Sequence, residues 1–569
     1  MSKRIFIAGI VGLLLAPMAW GQDAERLAPK VPPSNPPAKI QPPAPTSQPQ
    51  GNQVIVPQLQ GLVFIDSPDK VRQTSTAHGV DVSQIALLNS PSFTAAASAY
   101  LGKPLTLSKL NEICQFVVVY CRGIDRPVVD AIVPQQDVTT GTVQILVLQG
   151  HVGKVRAEGN RFFPSKMLTS EVRAKAGDEI SQSHLLNDVD WLNRNPFRRS
   201  DLVLERGAEF GQTDVVLETE DHFPIRVYGG YENTGTVATG EDRWLTGINW
   251  GEAFGLDDQL NYQYTMGGNM ERFQAHSGSY VAPLPWHDVL TVFGNWSASD
   301  VQTDPNILQN GQSWQLSARY EIPLAKVCNI SQSVLLGGDF KRSNTNADFG
   351  GTSVYSSYVD VVQFMVGYNA SSVDSRGSGD LSLEGYVSPG DIGAQDNRAD
   401  YQNARVGADS QYIYGRVTAD RTTNLPADFS WVTRAQAQLA SSALLGSEQL
   451  GVGGMDSVRG YLEREGNGDD GILFSNELHT PPLSFFKIAG RKDQLYFLGF
   501  IDYGIAWTRD AQAGQPSQEN FLGVGPGISY HLGPWLSVDY GYGWRLAAGD
   551  PSVHASGRNH LRILASFTF

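Results

Sequence analysis

The stretch QLNYQYTM, residues 259–266, alternates apolar and polar side chains with a period of two, the spacing of a β-strand. One face carries the apolar and aromatic residues Leu260, Tyr262, Tyr264 and Met266, and the other carries Gln259, Asn261, Gln263 and Thr265. The alternation recurs in WLSVDYGYGWR, residues 535–545, and in the terminal HLRILASFTF, residues 560–569. The second face is polar or Gly-rich, which indicates a barrel with lipid outside and a wet lumen rather than a soluble sandwich.

Segments of this kind follow one another to the C-terminus, separated by turns rich in Gly, Asp and Asn. Their predicted starts are residues 225, 243, 259, 273, 288, 312, 332, 355, 378, 409, 429, 471, 495, 521, 535 and 560. A single-chain barrel with both ends in the periplasm requires an even number of strands. No helix is expected after Phe223. The sequence therefore predicts a transmembrane β-barrel of about 16 antiparallel strands in the outer membrane, over residues 222–569.

The composition fits this fold class and excludes others. The chain has 569 residues, with 43 Lys+Arg, 58 Asp+Glu and 59 Gly, and its formal net charge is −15. Charged residues make up 18%, which is below the usual level for soluble domains. An acidic balance without a dense Lys/Arg block argues against a nucleic-acid partner, because phosphate binding needs clustered positive charge. No internal apolar run approaches the length of a membrane helix.

The N-terminus indicates export from the cytoplasm. Two basic residues, Lys3 and Arg4, precede a short apolar run, and small residues mark a cleavage site after Gly21. Residues 1–21 are therefore predicted to be a secretory signal peptide. A membrane anchor is the alternative, but the apolar run is short for a spanning helix and is interrupted by Pro17.

The next segment, residues 22–53, is typical of a linker. Nine prolines fall between Pro29 and Pro49, interleaved with Ala, Ser, Asn and Gln. Such a segment cannot build a core, so we expect a polyproline-biased, partly disordered spacer.

Helices and short strands alternate between this linker and the barrel, in two similar α+β units. The first unit, residues 54–150, has a predicted helix around Leu107 to Tyr120 and strands at Val128 to Val133 and Thr142 to Leu148. The second, residues 151–221, has the order β-α-α-β-β, with strands predicted at 152–157, 201–205 and 213–219 and helices beginning at Pro164 and after Ser181.

Three cysteines occur in the chain, Cys114, Cys121 and Cys328. On a continuous helix, Cys114 and Cys121 would lie about 10 Å apart, which exceeds the Cα separation that a disulfide tolerates. A disulfide would require the helix to end before Cys121. Two buried free thiols are the favoured interpretation, and the odd number of cysteines argues against a disulfide framework.

Signatures of catalysis are missing from the sequence. No two of the ten His lie within four residues of each other, as a helical zinc site would require. There is no Gly-x-Ser-x-Gly nucleophile elbow and no phosphate-binding Gly-x-x-x-x-Gly-Lys. We therefore expect a protein that is not an enzyme and that binds neither a metal nor another cofactor.

Several motifs resemble those of a known family. The stretches LNRNPFRR (192–199), GQTDVVL (211–217) and FPIRVYGGYENTG (223–235) are similar to the second POTRA domain and first barrel strand of TpsB transporters. These are the two-partner (type V) secretion pores that export haemolysins and filamentous adhesins. VRGY (458–461) and FIDYG (500–504) strengthen the resemblance, which extends over residues 54–569. It implies that residues 54–150 are POTRA 1 and that residues 151–221 are POTRA 2.

In this family, the VRGY motif is the tip of a long sixth extracellular loop that folds back into the lumen. The FIDYG motif lies on a strand of the inner wall. The resemblance thus implies a loop gating motif and a barrel-wall partner motif, formed by Val458, Arg459, Gly460 and Tyr461 and by Phe500, Asp502 and Gly504. Independently, the strand count places Val458 between the eleventh and twelfth strands, in a long loop of about residues 445–470, which is the sixth outward loop if the first hairpin points outward.

The residues themselves are compatible with a contact between these motifs. The period of two places Phe500, Asp502 and Gly504 on one strand face, with the polar Asp toward the lumen. An arginine offers a planar fork that binds a carboxylate in a bidentate way. The family implies the pair Arg459 and Asp502, with Phe500 and Tyr461 packed around it. The alternative is an exposed loop arginine and a solvated lumen aspartate.

The resemblance implies that POTRA domains recognise an unfolded exoprotein with an N-terminal secretion domain, and that the barrel translocates it to the cell surface without ATP. There are two alternatives, an insertase of the barrel-assembly type and a diffusion porin. Insertases of that type usually carry more than two POTRA units, and a diffusion porin would leave residues 54–221 without a role. Two further partners are implied, the outer-membrane lipid and the barrel-assembly machinery, whose signal the terminal Phe569 resembles. Well-known members also carry an N-terminal plug helix, whereas here only a short turn is expected near Ala24 to Leu27.

Overall fold

The computed structural model describes residues 27–33, 35–36, 38–42, 51–209, 211–236, 239–270, 272–304, 307–349, 352–488, 490–547 and 556–568. The predicted signal peptide, residues 1–21, and the terminal Phe569 lie outside the described residues. The chain divides into two compact units. One is Ser34–His222, and the other combines Phe223–Phe569 with Met1–Pro33.

The Ser34–His222 unit contains two α+β regions, each with a four-stranded mixed sheet. After a two-residue strand β1 (Ile40–Gln41), the first region comprises β2 (Val54–Val56), β3 (Gly61–Ile65), β4 (Gly79–Asp81), α1 (Pro91–Ser98), β5 (Leu105–Thr106), α2 (Leu107–Gly123), β6 (Val129–Ile132) and β7 (Thr142–Gln149), with 3₁₀ turns at Pro68–Lys70 and Ala86–Leu88. Its sheet order is β4-β3-β7-β6, with β3 parallel to both neighbours. Helix α2 buries Leu110, Ile113 and Val117 in the core of this region.

The second region has the predicted order β-α-α-β-β. It comprises β8 (His151–Glu158), α3 (Ser165–Ser170), α4 (Gln182–Leu192), β9 (Arg198–Arg206) and β10 (Gln212–Asp221). The sheet order is β1-β9-β10-β8, so β8 lies at one edge. Helix α4 begins at Ser181, whose hydroxyl accepts a hydrogen bond from the His184 N–H, and its buried Leu185, Val189 and Leu192 pack in the core with Leu202 and Leu217.

Polar contacts join the two regions at the end of α2. The carboxylate of Asp125 accepts hydrogen bonds from the backbone N–H of Ser183 at 2.7 Å and from the hydroxyls of Ser181 and Ser183. Next to it, Arg126 pairs with Glu179 at 2.7 Å. Burial opposes ionisation of Asp125, but the serine hydrogen bonds outweigh it and hold the pKa of this carboxyl below its usual value.

Helix α2 is continuous to Gly123 and carries Cys114 and Cys121, so the two residues are not bridged. Both are buried free thiols, and burial raises their pKa, to about 12 for Cys114 and about 11 for Cys121. Cys328 is free and exposed. Within the described residues, no helix is long and apolar enough to cross a membrane. The same part of the chain holds no cluster of side chains that could bind a metal ion.

The other unit is a closed antiparallel barrel of sixteen strands. They are β11 (Ile225–Glu232), β12 (Arg243–Ala253), β13 (Asp258–Gly267), β14 (Phe273–Pro283), β15 (Val289–Asp304), β16 (Ile307–Val327), β17 (Ile330–Phe349), β18 (Thr352–Asp374), β19 (Gly377–Ser388), β20 (Tyr412–Asn424), β21 (Ser430–Ala440), β24 (Asp470–His479), β27 (Gln494–Trp507), β28 (Gln518–Leu532), β29 (Leu536–Arg545) and β30 (Gly557–Thr568). The short strands β22 (Leu450–Val452), β23 (Gly466–Gly468), β25 (Lys487–Ile488) and β26 (Arg491–Lys492) lie in connections, with α5 (Arg398–Ala404) and a 3₁₀ turn at Pro426–Asp428. β11 pairs with β30 and closes the barrel.

The predicted fold class is confirmed, including the number of strands. Predicted and observed starts differ by at most five residues, at the strand predicted from 312 that begins at Ile307. The alternation on β13 has the predicted sense: Tyr262 is 42% exposed on the outer face, whereas Asn261 and Gln263 are 3% and 1% exposed in the lumen.

Two features of the barrel differ from expectation. Strands β15 to β18 have 16, 21, 20 and 23 residues, whereas about 9–11 residues cross a membrane, so part of each lies outside the hydrocarbon. The expectation of no helix after Phe223 was wrong, because α5 forms in the connection between β19 and β20. It is too short to show helical periodicity. Its start is fixed by Asn397, which accepts hydrogen bonds from the N–H groups of Ala399 and Asp400.

Part of the predicted linker has defined partners in the structure. Ile40 and Gln41 form β1 and pair in parallel with Leu202 and Val203 of β9. Asn35 donates hydrogen bonds from its amide to the carbonyls of Asn193, Asn195 and Arg198. These contacts use the backbone or a single amide, so they leave no apolar pattern in the sequence.

Candidate functional site

The connection between β21 and β24, residues 441–469, folds into the barrel lumen, and we call it the lumen loop. Its apolar residues Leu450, Val452, Val458 and Tyr461 form a buried cluster with Leu473, Ala506 and Phe521 of the barrel wall. The paired strands β22 and β23 stiffen its base. Val458 lies between the eleventh and twelfth barrel strands, where the strand count places it.

The wall accommodates the loop because glycines face it. A Cβ atom at Gly523 on β28 would overlap the carbonyl oxygen of Arg459. At Gly543 on β29, a Cβ would lie 2.5 Å from the Gly460 nitrogen. Gly504 on β27 lies against the loop's Val452 and Val458. These positions allow an approach of backbone to wall that any larger residue would prevent.

Arg459 and Asp502 form a bidentate ion pair inside the barrel. Arg459 Nε lies 2.7 Å from Asp502 Oδ2, and Nη2 lies 2.8 Å from Oδ1. The backbone N–H of Arg459 donates to the same carboxylate at 3.1 Å. The Asp502 side chain is fully buried. One aspartate thus fixes both the side chain and the backbone of the loop tip.

Further wall groups complete the surroundings of Arg459. Its Nη1 lies 2.7 Å from Glu477 Oε1, and the Ser475 hydroxyl donates to Asp502 Oδ1 at 2.6 Å. The ring of Phe500 lies under the guanidinium, with its centroid 3.6 Å from Cζ. The guanidinium therefore contacts two carboxylates and one aromatic face. Such a buried, fully hydrogen-bonded pair fixes a conformation and adds little net stability.

Two residues of the predicted motif have contacts elsewhere. Gly460 has φ +97°, which favours glycine, and its N–H donates to His560 Nε2 on β30 at 3.1 Å. Tyr461 does not pack around the Arg459–Asp502 pair as expected. Its ring packs against Phe521 and Arg545, and its hydroxyl lies within hydrogen-bond distance of the backbones of Leu522 and Ala547.

Sequence reasoning did not find the other ionic contacts of the lumen loop. Four ion pairs tie it to the wall and to the β19–β20 connection. Three are largely buried, Lys341–Glu448, Arg405–Asp469 and Arg545–Glu465, and the fourth, Arg562–Asp456, has an exposed carboxylate. The sequence does place charged residues such as Lys341 and Arg562 on the inward faces of strands, and these residues could have indicated ionic contacts in the lumen. Their partners could not be read from spacing, because each lies far away along the chain.

Residues 27–30 also lie in the lumen, against β11, β13 and β14. The Lys30 N–H donates to the hydroxyl of Tyr228 at 2.9 Å and to Gln263 Oε1 at 3.2 Å, and the Lys30 carbonyl accepts from Arg226 at 3.0 Å. The Leu27 carbonyl accepts from the Ser277 hydroxyl and from Gln263 Nε2. The Lys30 ammonium lies 3.8 Å from Glu232.

A sixteen-stranded barrel with a loop lodged in its lumen, preceded by two α+β regions, defines the class of outer-membrane transporters that carry POTRA modules. The chain belongs to the haemolysin secretion/activation protein family ShlB/FhaC/HecB, whose sequence profile matches residues 211–530. It is thus an outer-membrane transporter of the two-partner secretion type, which secretes a partner protein, and it is not an enzyme.

Individual proteins with similar sequences agree with this assignment. The chain is 22% identical over 448 residues to the outer membrane transporter CdiB-2 of Burkholderia pseudomallei, covering 77% of this chain and 73% of that protein. It is 23% identical over 448 residues to the heme/hemopexin transporter protein HuxB of Haemophilus influenzae, covering 76% of each. The structure of CdiB from Escherichia coli has the same fold, with TM-score 0.70 and 18% identity over 92% of this chain and 94% of that one.

Proposed function

We propose that the chain exports one large exoprotein, of haemolysin or adhesin type, which its POTRA-like regions bind in the periplasm while the exoprotein is unfolded. The lumen loop then gates the passage of this client through the barrel. The observation that carries the proposal is the Arg459–Asp502 pair, which holds the loop tip within the space that a polypeptide would use. Export uses no ATP, and folding of the client outside the cell prevents its return.

Both polar and apolar contacts hold the tip of the loop, since Val458 and Tyr461 flank Arg459 and pack against the barrel wall. The ion pair of Arg459 contributes conformational specificity rather than much net stability, which suits a segment that must rearrange. The glycine-lined wall at Gly523 and Gly543 leaves the tip no covalent or bulky obstacle to withdrawal. Opening of the pore then requires that the ion pairs of Arg459 with Asp502 and Glu477 break.

The α+β regions offer strand edges to an unfolded client. A client strand added at an edge binds through backbone hydrogen bonds, which are largely indifferent to its sequence. The β9 edge already accepts an added strand in this way, because β1 pairs there in parallel through Ile40 and Gln41. Strand β8 forms the opposite edge of the same sheet. The free edge of β8 is the proposed binding position for the client, and binding at β9 would require displacement of β1.

The terminal Phe569 is proposed to be the assembly signal that the barrel-assembly machinery recognises. It directly follows β30, the strand that closes the barrel by pairing with β11. Removal of Phe569 should lower the amount of folded barrel in the outer membrane. Unchanged levels of folded protein would contradict this role.

The proposed function is tested in cells that express the chain together with a large exported protein carrying an N-terminal secretion domain, taken from the same genome. Wild-type chain should release the exoprotein into the medium. A variant lacking residues 58–220 should release none, while its barrel still conducts ions in planar bilayers. Release by that variant at the wild-type level would contradict client binding by the α+β regions, and no release with the wild-type chain would contradict the choice of partner.

A further inference from the structure

The connection between β24 and β27 contains a small hairpin that is both apolar and basic. We call residues 483–488 and 490–493 the basic hairpin, and it includes the paired strands β25 and β26. It lies at the barrel end where β11 begins and β30 ends. This is the periplasmic end, because the strand number is even and the α+β regions that precede β11 stay in the periplasm.

The apolar side chains of the basic hairpin are exposed. Four of them have 47–64% of their surface free: Leu483, Phe485, Phe486 and Ile488. An exposed apolar patch of this kind marks a surface that contacts something other than water. The hairpin also continues from strands with apolar outer faces, since Leu478 of β24 and Phe497 of β27 are 47% and 45% exposed toward lipid. The membrane is therefore the apolar phase next to the patch.

A buried carboxylate anchors the two phenylalanines to the barrel. Asp493 accepts hydrogen bonds from the backbone N–H groups of Phe485 and Phe486, both at 2.8 Å, and from the Ser484 hydroxyl at 2.9 Å. The hydroxyl of Tyr530 on β28 donates to the same carboxylate at 3.3 Å. The backbone of both phenylalanines is thus held in place, while their rings remain exposed.

The same hairpin carries a concentration of positive charge. Lys487, Arg491 and Lys492 are all exposed, and none of them forms an ion pair with an acidic side chain in the described part of the chain. The six other connections at this barrel end, all within the described residues, carry at most one Lys or Arg each. In a chain of net charge −15, such a local excess of cations indicates an anionic ligand.

Two of these cations face each other across the hairpin. Lys487 of β25 and Lys492 of β26 are directly opposite in the register. Like charges at directly opposite positions destabilise a strand pair. A phosphate group between the two ammonium groups would remove this repulsion and accept charge-assisted hydrogen bonds from both. Arg491 extends the surface to the next turn, where it lies beside Gly533 together with Trp535, a residue type that favours the boundary between lipid and water.

We propose that the basic hairpin is a binding site for an anionic phospholipid of the periplasmic leaflet. Its exposed apolar side chains insert among the acyl chains, and its cations bind the phosphate group, which lies between Lys487 and Lys492. Each cation near an anionic membrane surface contributes about a fivefold preference for anionic over zwitterionic lipid. Such a site fixes the depth of this part of the barrel in the membrane, whatever client the barrel exports.

The test uses the full chain in phosphatidylcholine nanodiscs that contain a small fraction of photoactivatable lipid, either phosphatidylglycerol or phosphatidylcholine. After illumination, lipid adducts on peptides that cover residues 480–497 are quantified by mass spectrometry. The measure is the ratio of phosphatidylglycerol adduct to phosphatidylcholine adduct. It should be about tenfold or more in wild type and at least about fivefold lower in the double variant Lys487→Gln, Lys492→Gln.

The matched control is Lys326→Gln, Arg376→Gln, which removes two cations near the β16–β17 and β18–β19 turns at the same barrel end and should leave the ratio unchanged. Lys487→Arg, Lys492→Arg keeps both charges and should keep the ratio. Folding of each variant is verified by its heat-modifiable migration in gels. If the double glutamine variant does not fold, Lys492→Gln alone should lower the ratio about threefold.

A second pair of substitutions tests insertion separately from charge. Phe485→Ser, Phe486→Ser removes the two most exposed rings and leaves the cations in place. It should lower the yield of both adducts about threefold or more while preserving their ratio. An unchanged yield of both adducts would contradict insertion of the hairpin.

A ratio near one in wild type, or equal ratios in the hairpin and control variants, would overturn the proposal. So would the absence of adducts from residues 480–497 with both lipids, because another partner would then contact the hairpin. Excess inorganic phosphate should leave the ratio unchanged relative to chloride at the same ionic strength. A ratio lost in phosphate alone would assign the cations to a free anion and overturn the lipid site.

Discussion

Arg562 on the last barrel strand forms an ion pair with Glu232 on the first, across the seam where the barrel closes. Arg562 Nε lies 2.7 Å from Glu232 Oε2, and the two residues are directly opposite in the β11–β30 register. The same guanidinium binds Asp456 of the lumen loop through both terminal nitrogens, at 3.2 and 2.8 Å. One arginine therefore joins the seam to the loop, and Lys30 approaches Glu232 from the other side.

Arg562→Ala should destabilise the closed barrel by about 3 kcal/mol, because it removes the nearer of the two cations that the described residues place beside the buried Glu232. The measurement is the temperature at which the folded, heat-modifiable form disappears in gels. Arg421→Ala is the matched control, since its pair with Asp374 is more than a third exposed on both sides and contributes about 0–1 kcal/mol. Equal shifts in the two variants would contradict a seam role for Arg562.

Tyr461→Phe should loosen the lumen loop without removing its packing. The Phe ring retains contact with Phe521 and Arg545, but the backbone groups of Leu522 and Ala547 lose the hydroxyl at the loop tip. Leaving buried backbone groups without a partner costs about 1–3 kcal/mol. The expected result in planar bilayers is more frequent channel opening than in wild type. Unchanged opening would show that the ring alone holds Tyr461.

Asp125→Asn should weaken the junction between the two α+β regions at neutral pH by about 1–2 kcal/mol. Because hydrogen bonds hold the pKa of Asp125 below its usual value, its stabilising contribution is present above that usual value and is lost as pH falls through the lowered one. Hydrogen exchange of residues 181–183 in the full chain reports the junction. The difference between wild type and variant should shrink in acid.

The control for this junction is Asp66→Asn, which alters only an exposed pair with Lys70. It should leave exchange at residues 181–183 unchanged at every pH. A wild-type to Asp125→Asn difference that grows in acid would contradict the assigned direction of the pKa shift.

The three thiols should differ in their reactivity toward an alkylating reagent. Burial raises the pKa of Cys114 to about 12 and of Cys121 to about 11, so almost no thiolate exists at about pH 8 and reagent cannot reach it. Cys328 is exposed and should react in the folded protein. Mass spectrometry after brief treatment with iodoacetamide should find Cys328 alone modified, and all three modified after unfolding. Modification of Cys121 in the folded chain would contradict its burial within α2.

The sequence predicts the barrel well because alternation is a local property. Each strand carries its own pattern, as Tyr262 outside and Gln263 inside show, so strand number and face could be derived without knowledge of pairing. The second α+β region was predicted with its observed order of elements, since the start of α4 depends on Ser181 and the residues that follow it. In the first region α2, β6 and β7 were predicted, whereas β3, β4 and α1 were not. These features are decided within about ten residues of chain.

The contacts in the lumen, in contrast, join residues that are far apart in the sequence. The partners Arg562 and Asp456 are 106 residues apart, and no spacing rule connects them. Tyr461 was expected beside Arg459, but consecutive residues of a tight turn point in different directions, and φ +97° at Gly460 sends Tyr461 toward Phe521. Most hydrogen bonds of residues 27–30 use the backbone of this segment, so the sequence contains no side-chain pattern that predicts its position. Family resemblance, not periodicity, indicated the Arg459–Asp502 pair.

The central claim is that the lumen loop is a gate fixed by Arg459 and Asp502. It is tested most directly by secretion of the exoprotein from cells that carry Arg459→Ala, Asp502→Ala or both, at equal levels of folded barrel. The account predicts that each single variant lowers secretion and that the double variant is no worse than either, with a coupling energy of about 1–3 kcal/mol. Losses that simply add in the double variant, or wild-type secretion in all three, would contradict it.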